Sequence, residues 1–321
     1  SVRFLKKYLR LNPVDAVITT GPPHSVHLIG LQLKRHLHLP WIADFRDPWT
    51  EIDFYEQLRL TRWADNKHRR MEKSVLSDSD RIMVIGKTMA DRFRELYPET
   101  DPVVVPNGYD EADFTGETPE TAETPETAET PETGDSFTIL HVGTMNRDRN
   151  HPILWQAVSS LIKENKEFAE KVRLRFIGKV DYSVAESVRS HGLQEITRMD
   201  PYLPHDRIAG VLRSASLLYL PINNTPNARM IQTGKIFEYL ASGRPVLGTG
   251  PLDGDAAAIL AEASGGRMVD FQDEEGLKHA LLDYFIQFQN DNLPTTPPPR
   301  QYSRKYLAGK LVKMINSLAG S

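Results

Sequence analysis

Residues 233–250 read TGKIFEYLASGRPVLGTG, a stretch that decides the fold class. Its apolar positions recur at the spacing of one buried helix face, as Ile236, Phe237 and Leu240. Thr233 is predicted to be the N-cap of this helix, and Gly243 suits a left-handed C-cap. Pro245 stops the helix, and an extended apolar run follows at once. A helix that leads directly into a buried strand is typical of parallel sheets covered by helices.

Runs rich in β-branched residues alternate with amphipathic stretches along the rest of the chain. Four runs lie in the first part, at 15–20, 41–44, 81–86 and 103–108. Four more lie in the second part, at 138–143, 174–178, 217–221 and 245–250. This alternation predicts two Rossmann-like domains with parallel sheets. In such sheets ligands bind beyond the carboxyl ends of the strands.

Three copies of a hexapeptide separate the two parts, and they read ETPETA, ETPETA and ETPETG over residues 117–134. Their largest apolar side chain is Ala, so they cannot bury enough surface to offset the entropy of ordering. The sequence therefore predicts a disordered linker. The four predicted parts are a first domain over 1–114, the linker over 115–136, a second domain over 137–294, and a connector with a C-terminal helix over 295–321.

The first domain offers about four strands and begins on a helix, whereas a doubly wound domain has about six strands. We expect that its first βαβ portion is missing, and the alternative is a naturally smaller domain. The C-terminal tail has a helical apolar stripe that we expect to return to the first domain. Its members are Tyr302, Tyr306, Leu307, Leu311, Met314, Ile315 and Leu318.

The 321 residues include no cysteine, which excludes disulfides, zinc–thiolate sites and thiol nucleophiles. The apolar runs are too short to cross a bilayer, so we expect a globular, cytoplasmic protein. The net charge of −4 does not call for nucleic acid, because the linker repeats contribute six acidic residues and no basic one. Chemistry must come from carboxylates, imidazoles, cations or bound ligands.

Lys235 and Glu238 lie three residues apart on one face of the predicted helix. The start of this helix faces the carboxyl edge of the sheet, where its backbone N–H groups can bind a diphosphate. Lys235 could then contact phosphate while Glu238 contacts ribose hydroxyls. The alternative is a surface ion pair worth a few tenths of a kcal/mol, and spacing alone leaves both interpretations open.

Taken in order, six segments resemble the retaining glycosyltransferases of the GT-B fold, family 4 in particular. They are GPPHS at 21–25, WIADFRDPW at 41–49, VPNGYDEADF at 105–114, ILHVGTMNRDRN at 139–150, LRFIGK at 174–179 and TGKIFEYLASGRPVL at 233–247. The resemblance implies a GT-B-like α/β fold, with two Rossmann-type parallel-sheet domains facing a cleft. The family carries a further βα portion ahead of Ser1, which agrees with a first domain that is incomplete at its N-terminus.

The resemblance also implies a donor site on the second domain. Its predicted nucleotide-sugar ligands are Gly143, Arg147, Arg149, Thr233, Gly234, Lys235 and Glu238. Glu238 matches the second Glu of the family's E-x7-E motif, which holds the ribose. The first Glu of that motif falls on Met230, which leaves the contacts to the sugar open. The two arginines would pair with the diphosphate, and the alternative is that they are solvated loop residues.

On the acceptor side, the resemblance implies a site built from Gly21, His24, Ser25, Asp44 and Arg46. His24 could orient an acceptor hydroxyl or be an isolated surface histidine. Many relatives carry His followed by Asp where this sequence has Arg46 and Asp47. Asp44, Arg46 and Asp47 could form a structural salt-bridge network or bind an anionic acceptor. The predicted catalytic residues are Asp47, Arg149 and Lys235.

The sequence therefore predicts a hexosyltransferase that moves a sugar from a nucleoside-diphosphate donor to a hydroxyl acceptor with retention, in polysaccharide or glycolipid synthesis. No metal and no cofactor are expected, because cations of the protein can neutralise the diphosphate. The expected acceptor is a glycan or a lipid-linked molecule. The cationic segment 67–73 is most simply the solvated face of an amphipathic helix, and the alternative is peripheral contact with the inner face of a membrane. Two alternatives stay open: a GT-B-type nucleotide-sugar epimerase, and a non-catalytic binding module. Without its first βα portion, the chain is expected to have little activity.

Overall fold

A computed structural model describes residues 1–115 and 135–319 of the chain. The predicted linker repeats at 117–134 lie outside the described residues. The chain divides into two compact units, of which the first combines Ser1–Asn107 with Arg304–Ser321 and the second is Gly108–Ser303. Each unit is a parallel α/β structure, which confirms the predicted class of two parallel-sheet domains.

The first unit contains a four-stranded parallel sheet in the order β1-β2-β3-β4. Its strands are β1 (Val17–Gly21), β2 (Trp41–Phe45), β3 (Arg81–Val84) and β4 (Val103–Val104). Its first four helices are α1 (Val2–Leu11), α2 (His27–Leu37), α3 (Arg62–Asp78) and α4 (Lys87–Leu96). Every residue of β2 is buried, which fits its central place and its continuous apolar sequence.

The second unit contains a six-stranded parallel sheet in the order β10-β9-β8-β5-β6-β7. Its strands are β5 (Phe137–Val142), β6 (Val172–Ile177), β7 (Thr197–Asp200), β8 (Leu217–Pro221), β9 (Val246–Thr249) and β10 (Gly266–Val269). Its helices are α5 (Pro152–Glu164), α6 (Lys166–Lys171), α7 (Tyr182–Ser190), α8 (His205–Ser214), α9 (Lys235–Ala241), α10 (Asp255–Glu262) and α11 (Glu274–Gln289). The strand order reverses at β5, which pairs with both β6 and β8. Such a switch point leaves a crevice at the carboxyl edge of the sheet.

Helix α9 corresponds to the stretch that decided the fold. Ile236, Phe237 and Leu240 are buried, as predicted. Gly243 has a φ of 78°, so the predicted left-handed glycine after the helix is confirmed. The prediction of Thr233 as N-cap was wrong, because the N-cap is Gly234 and no side chain caps this end.

The last helix of the chain, α12 (Arg304–Ala319), belongs to the first unit. Its buried side chains and those of the sheet form one cluster, which contains Ile42, Met83, Val105, Leu307, Met314 and Leu318. The helical stripe is narrower than the sequence suggests. Tyr302 lies in a turn ahead of α12 and belongs to the second unit, where it packs on Phe237 at 5.1 Å between ring centroids. Tyr306 is exposed. Among the described residues, no helix combines the length and the apolarity that a membrane span requires.

Candidate functional site

The carboxyl edge of the second sheet brings together two segments that are distant in sequence. Strand β5 ends at Val142 and is followed by Gly143 and by a short turn, Arg147–Arg149. Strand β8 is followed by a long loop that leads to α9. Because β5 and β8 are paired, the turn and the start of α9 lie beside each other. Tyr239 of α9 joins the two segments, since its Oη accepts a hydrogen bond from the backbone N–H of Val142 at 2.8 Å.

Lys235 extends across Gly143. A Cβ atom at Gly143 would lie 1.9 Å from Cε and 2.7 Å from Nζ of Lys235. The glycine also has a φ of 112°, a conformation that other residues rarely adopt. The backbone conformation therefore favours glycine at position 143, and a side chain there would also displace the flexible end of Lys235. The two residues form a single element of the site.

The guanidinium group of Arg149 is held in place by two neutral acceptors. Its Nε donates to Oδ1 of Asn223 at 2.7 Å, and its Nη1 donates to the carbonyl of Thr144 at 2.8 Å. Arg149 is half-buried, whereas Arg147 of the same turn is exposed. Of the two predicted arginines, Arg149 is thus oriented by the protein. The interpretation of both as solvated loop residues does not describe Arg149.

The site has a positive electrostatic potential. Burial, and next the charge of Arg149, lowers the pKa of Lys235 to about 8, and the carboxylate of Glu238 acts more weakly in the opposite direction. Burial also lowers the pKa of His141, at the end of β5, to about 3, with smaller contributions from Lys235 and Arg149. Positive charge is thus concentrated in a partly desolvated place, which is an arrangement suited to an anion.

The remaining donor-side candidates surround Lys235. Glu238 is half-buried one turn along α9, and Gly234 is exposed at its start. The side-chain oxygens of Thr233 and Gln232 are buried, and neither has a hydrogen-bond partner among the described residues. Met230 is half-buried in the turn Ala228–Met230, so no carboxylate stands where the family motif has its first Glu. No group of three or more His, Asp or Glu side chains within 1–115 and 135–319 could hold a metal ion.

The acceptor-side candidates of the first unit lie at the carboxyl ends of β1 and β2. The backbone N–H of Arg46 donates to the carbonyl of Gly21 at 2.9 Å. Its Nε donates to Oδ2 of the buried Asp44 at 2.9 Å, and its Nη1 donates to Oδ1 of Asn107 at 3.1 Å. Burial raises the pKa of Asp44, and the charge of Arg46 partly offsets this. Asp44 and Arg46 therefore form an ion pair that organises the strand ends.

Asp47 follows this ion pair, and His24 supports its backbone. His24 is buried rather than on the surface, and its Nε2–H donates to the carbonyl of Asp47 at 2.8 Å. The imidazole stacks on Trp49 at 5.6 Å between ring centroids. Burial, and next the nearby carboxylate of Asp53, raises the pKa of Asp47 to about 6. Ser25 is exposed beside this group. His24 thus holds the main chain of Asp47, and the carboxyl group of Asp47 has an unusually high pKa.

Sequence reasoning missed the residues that hold these groups in place. Asn223 and Thr144 position Arg149, Asn107 positions Arg46, and Glu72 fixes the loop after Asp47. The buried carboxylate of Glu72 accepts hydrogen bonds from the N–H of Thr50 at 3.1 Å and from its hydroxyl at 2.8 Å. The only signals in the sequence were asparagines directly after strands and one glutamate within an amphipathic helix. Neither signal identifies a partner.

Two known families match the chain. The family described as "Glycosyl transferases group 1" matches residues 136–286, and the "Glycosyl transferase 4-like domain" matches residues 2–108. No curated protein matches the sequence. The two matched ranges correspond closely to the two units, apart from the C-terminal helix.

Solved structures share the fold at low sequence identity. Sucrose-phosphate synthase from Thermosynechococcus elongatus has 16% identity and a TM-score of 0.71, over 100% of this chain and 78% of the other. An α,α-trehalose-phosphate synthase (UDP-forming) from Burkholderia vietnamiensis has 13% identity and a TM-score of 0.69, over 99% of this chain and 75% of the other. A putative UDP-N-acetylglucosamine 2-epimerase from Listeria monocytogenes has 15% identity and a TM-score of 0.58, over 98% of this chain and 77% of the other. These identities establish the fold alone.

The lowered pKa of Lys235 predicts a pH-dependent stability. The folded state binds fewer protons than the unfolded state between pH 8 and the ordinary lysine value, so this group adds stability as pH rises through that window. The variant Lys235→Met removes the desolvated charge and should raise the melting temperature at pH 7 by about a few degrees. The gain should shrink steadily toward pH 10. Thermal unfolding at pH 7, 8, 9 and 10 measures this.

The matched control is Lys163→Met, which changes an exposed lysine at the far end of α5. Its melting temperature should follow that of the wild type at every pH. If the Lys235→Met curve also runs parallel to the wild type, the charge of Lys235 is not desolvated in the folded protein.

Proposed function

The chain belongs to the family 4-like glycosyltransferases of the GT-B fold, and from this premise we propose that it transfers a sugar from a nucleoside-diphosphate donor to a hydroxyl acceptor with retention. In this reaction the bond between the anomeric carbon and a diphosphate oxygen breaks. The acceptor oxygen forms the new bond to that carbon and loses its proton. The leaving group is a nucleoside diphosphate, so negative charge develops on its phosphates.

The observation that carries the proposal is the position of Lys235 across Gly143 and beside Arg149. Two cations in a partly buried place reduce stability, and a bound polyanion would remove that penalty. A diphosphate has the charge and the oxygen atoms to accept hydrogen bonds from an ammonium and a guanidinium group together. These two groups would also stabilise the departing diphosphate, which makes Lys235 and Arg149 the proposed catalytic residues of the donor side. The exposed Arg147 would add long-range attraction.

The other donor contacts follow from the same placement. Glu238 lies one turn beyond Lys235 and would accept hydrogen bonds from the ribose hydroxyls. Thr233 and Gly234 precede Lys235 and would line the phosphates. Because α9 has only seven residues, its dipole adds little, and the side-chain cations carry most of the proposed affinity. With this charge supplied by the protein, the reaction would need neither metal nor cofactor.

On the acceptor side, Asp47 is the proposed catalytic residue. A carboxylate with a pKa of about 6 is ionised at neutral pH and is a better proton acceptor than an ordinary aspartate. It could therefore take the proton of the acceptor hydroxyl. His24 and the Asp44–Arg46 ion pair would keep the main chain around Asp47 in place. Gly21 and Ser25 would complete this side.

Names of fold relatives support a nucleotide-sugar donor. The trehalose-phosphate synthase is UDP-forming, and another solved relative, TarM of S. aureus, was crystallised with UDP. The epimerase from Listeria monocytogenes keeps epimerisation as the second candidate, in which one nucleotide sugar is both substrate and product. Met230, in place of the first motif Glu, is the observation that favours a non-catalytic binding module.

We also propose that the protein contacts an anionic membrane, where a lipid-linked acceptor for polysaccharide or glycolipid synthesis would be found. The observation is on α3, where Trp63 is 68% exposed. Lys67 lies 5.2 Å from the centroid of its ring, and Arg62 and Arg70 are exposed nearby. An exposed tryptophan among cations suits the interface of a membrane with anionic lipids.

Donor binding tests the proposal directly. Lys235→Ala should weaken the affinity for the best ligand among UDP, GDP and ADP by about tenfold to a hundredfold, because a charged hydrogen bond is lost. Glu238→Ala should weaken it by about tenfold through the ribose. Isothermal titration calorimetry measures both, with Lys163→Ala as the control that keeps wild-type affinity. Unchanged affinity in both site variants would contradict the proposed donor site.

The reaction is tested through Asp47. Asp47→Asn should lower the rate of sugar transfer by about a hundredfold, because the amide cannot accept a proton. The wild-type rate should fall as pH drops below about 6, where the carboxylate becomes protonated. Product analysis with a panel of acceptors, and with the donor alone, provides the measurement. A donor that is converted to its epimer without any acceptor would favour the epimerase instead.

Membrane contact is tested with vesicles. The double variant Lys67→Glu, Arg70→Glu should bind phosphatidylglycerol vesicles at least about tenfold more weakly than the wild type, because each cation near the surface contributes roughly 1 kcal/mol. Neither protein should bind phosphatidylcholine vesicles. The control is Tyr182→Ser in the second unit, which removes a 70% exposed aromatic residue beside Arg189. Equal sedimentation of the wild type and the charge-reversed variant would rule out this surface.

A further inference from the structure

A chain of buried side chains leads from the interior of the second sheet to the Arg147–Arg149 turn. Tyr219 of β8 contacts Thr249 of β9 at 2.8 Å between their hydroxyl oxygens. The hydroxyl of Thr249 lies 2.7 Å from Nδ1 of His151, and Nε2 of His151 lies 3.2 Å from the carbonyl oxygen of Asp148. Tyr219, Thr249 and His151 are each at most 3% exposed, so water does not compete for these bonds.

The carbonyls of Asp148 and Ile222 both face the ring of His151, and a carbonyl can only accept. We assign the proton to Nε2, which then donates to the carbonyl of Asp148. Burial lowers the pKa of His151 to about 4, so the ring is neutral at physiological pH and its Nδ1 is an acceptor. Thr249 must then donate to Nδ1, and its oxygen accepts from Tyr219. With this assignment the hydrogen bonds run in one direction, from Tyr219 through Thr249 and His151 to Asp148.

The carbonyl of Asp148 lies in the middle of the turn that carries Arg149. The same oxygen accepts the backbone N–H of Asn224 at 2.9 Å. The neighbouring Asn223 accepts the hydrogen bond from Nε of Arg149 at 2.7 Å. His151 and the Asn223–Asn224 segment thus hold the turn from two sides. Loss of either bond to the carbonyl of Asp148 would loosen the main chain that carries the guanidinium group of Arg149.

A purely local role for His151 does not account for this geometry. His151 is the N-cap residue of α5, yet its side chain makes no capping hydrogen bond. A serine or aspartate is the ordinary choice for that position. The ring instead joins Thr249, 98 residues along the chain, to the turn. Its edge contact with Phe271, at 4.9 Å between centroids, fixes the plane of the ring.

We propose that His151 is a positioning residue that, through the carbonyl of Asp148, holds the Arg147–Arg149 turn so that Arg149 faces the diphosphate of the donor. The inference rests on the proposed function for its ligand, but the hydrogen-bond chain exists without that ligand. His151 itself does not touch the substrate. Its effect on binding is expected to pass through Arg149.

Two variants distinguish the hydrogen bond of His151 to Asp148 from its hydrogen bond to Thr249. The amide of glutamine reaches the place of Nε2 and can donate to Asp148, whereas the amide of asparagine reaches only the place of Nδ1. His151→Gln should therefore keep the affinity for the best of UDP, GDP and ADP within about twofold, and His151→Asn should lower it by roughly fivefold, as for one lost hydrogen bond. Neither variant should change the affinity for the matching nucleoside, which lacks the diphosphate.

A double-mutant cycle tests the route through Arg149. In an Arg149→Ala background, His151→Asn should cause no further loss of affinity, because the group that it positions is gone. An additive loss, or a loss of affinity for the nucleoside as well, would show that His151 only supports the fold and would overturn the proposal. Equal affinities of the Gln and Asn variants would also overturn it.

A ligand-independent measurement separates this inference from the proposed function. If the wild type binds no nucleoside diphosphate, the proposed donor site fails, and amide hydrogen exchange of Asn224 decides about His151. The N–H of Asn224 is bonded to the carbonyl that His151 holds, so its exchange should be roughly fivefold faster in His151→Asn and close to wild type in His151→Gln. Unchanged exchange in both variants would overturn the positioning role.

Discussion

The close contact between Lys235 and Gly143 is the constraint on which the donor side depends. A side chain at Gly143 would displace the ammonium group from its place beside Arg149. The contact in turn requires α9 to be held firmly, which the fully buried Ile236 and Phe237 provide. It also requires β5 and β8 to be neighbours, because Gly143 follows β5 and the loop after β8 leads to Lys235 at the start of α9. Strand order, helix packing and electrostatics therefore converge on one pair of residues.

The sequence was sufficient for most of the fold. Of the ten strands that the structure describes, eight lie at predicted positions, because each contains an apolar run. The two unpredicted strands, β7 and β10, are the edges of the second sheet. Their sequences, TRMD and GRMV, contain no apolar run, since an edge strand is only partly covered. These two strands form through backbone hydrogen bonds to the adjacent strand. The hydrophobic periodicity of a sequence does not reveal such bonds.

The candidate site was predictable only for its charged residues, and not for the residues that orient them. Its charged residues were identified because they follow strands at the carboxyl edge, where topology concentrates ligands. The residues that orient them were not identified, because each bond joins distant parts of the chain. Asn223 lies 74 residues from Arg149, and Asn107 lies 61 residues from Arg46. A hydrogen bond across such a distance depends on strand register, which a single sequence does not encode. The wrong N-cap at Thr233 has the same origin, because the loop after β8 sets where α9 begins.

The two units have opposite electrostatic characters, and each character suits one half of a glycosyl transfer. In the second unit the repulsion of Lys235 by Arg149 exceeds its attraction to Glu238, so the local potential is positive. In the first unit burial and Asp53 raise the pKa of Asp47, so the local environment disfavours further negative charge and favours uptake of a proton. A leaving diphosphate gains negative charge, and an acceptor hydroxyl loses a proton. Lys235 in the second unit and Asp47 in the first, whose charges are costly to bury, are thus the groups suited to these two changes.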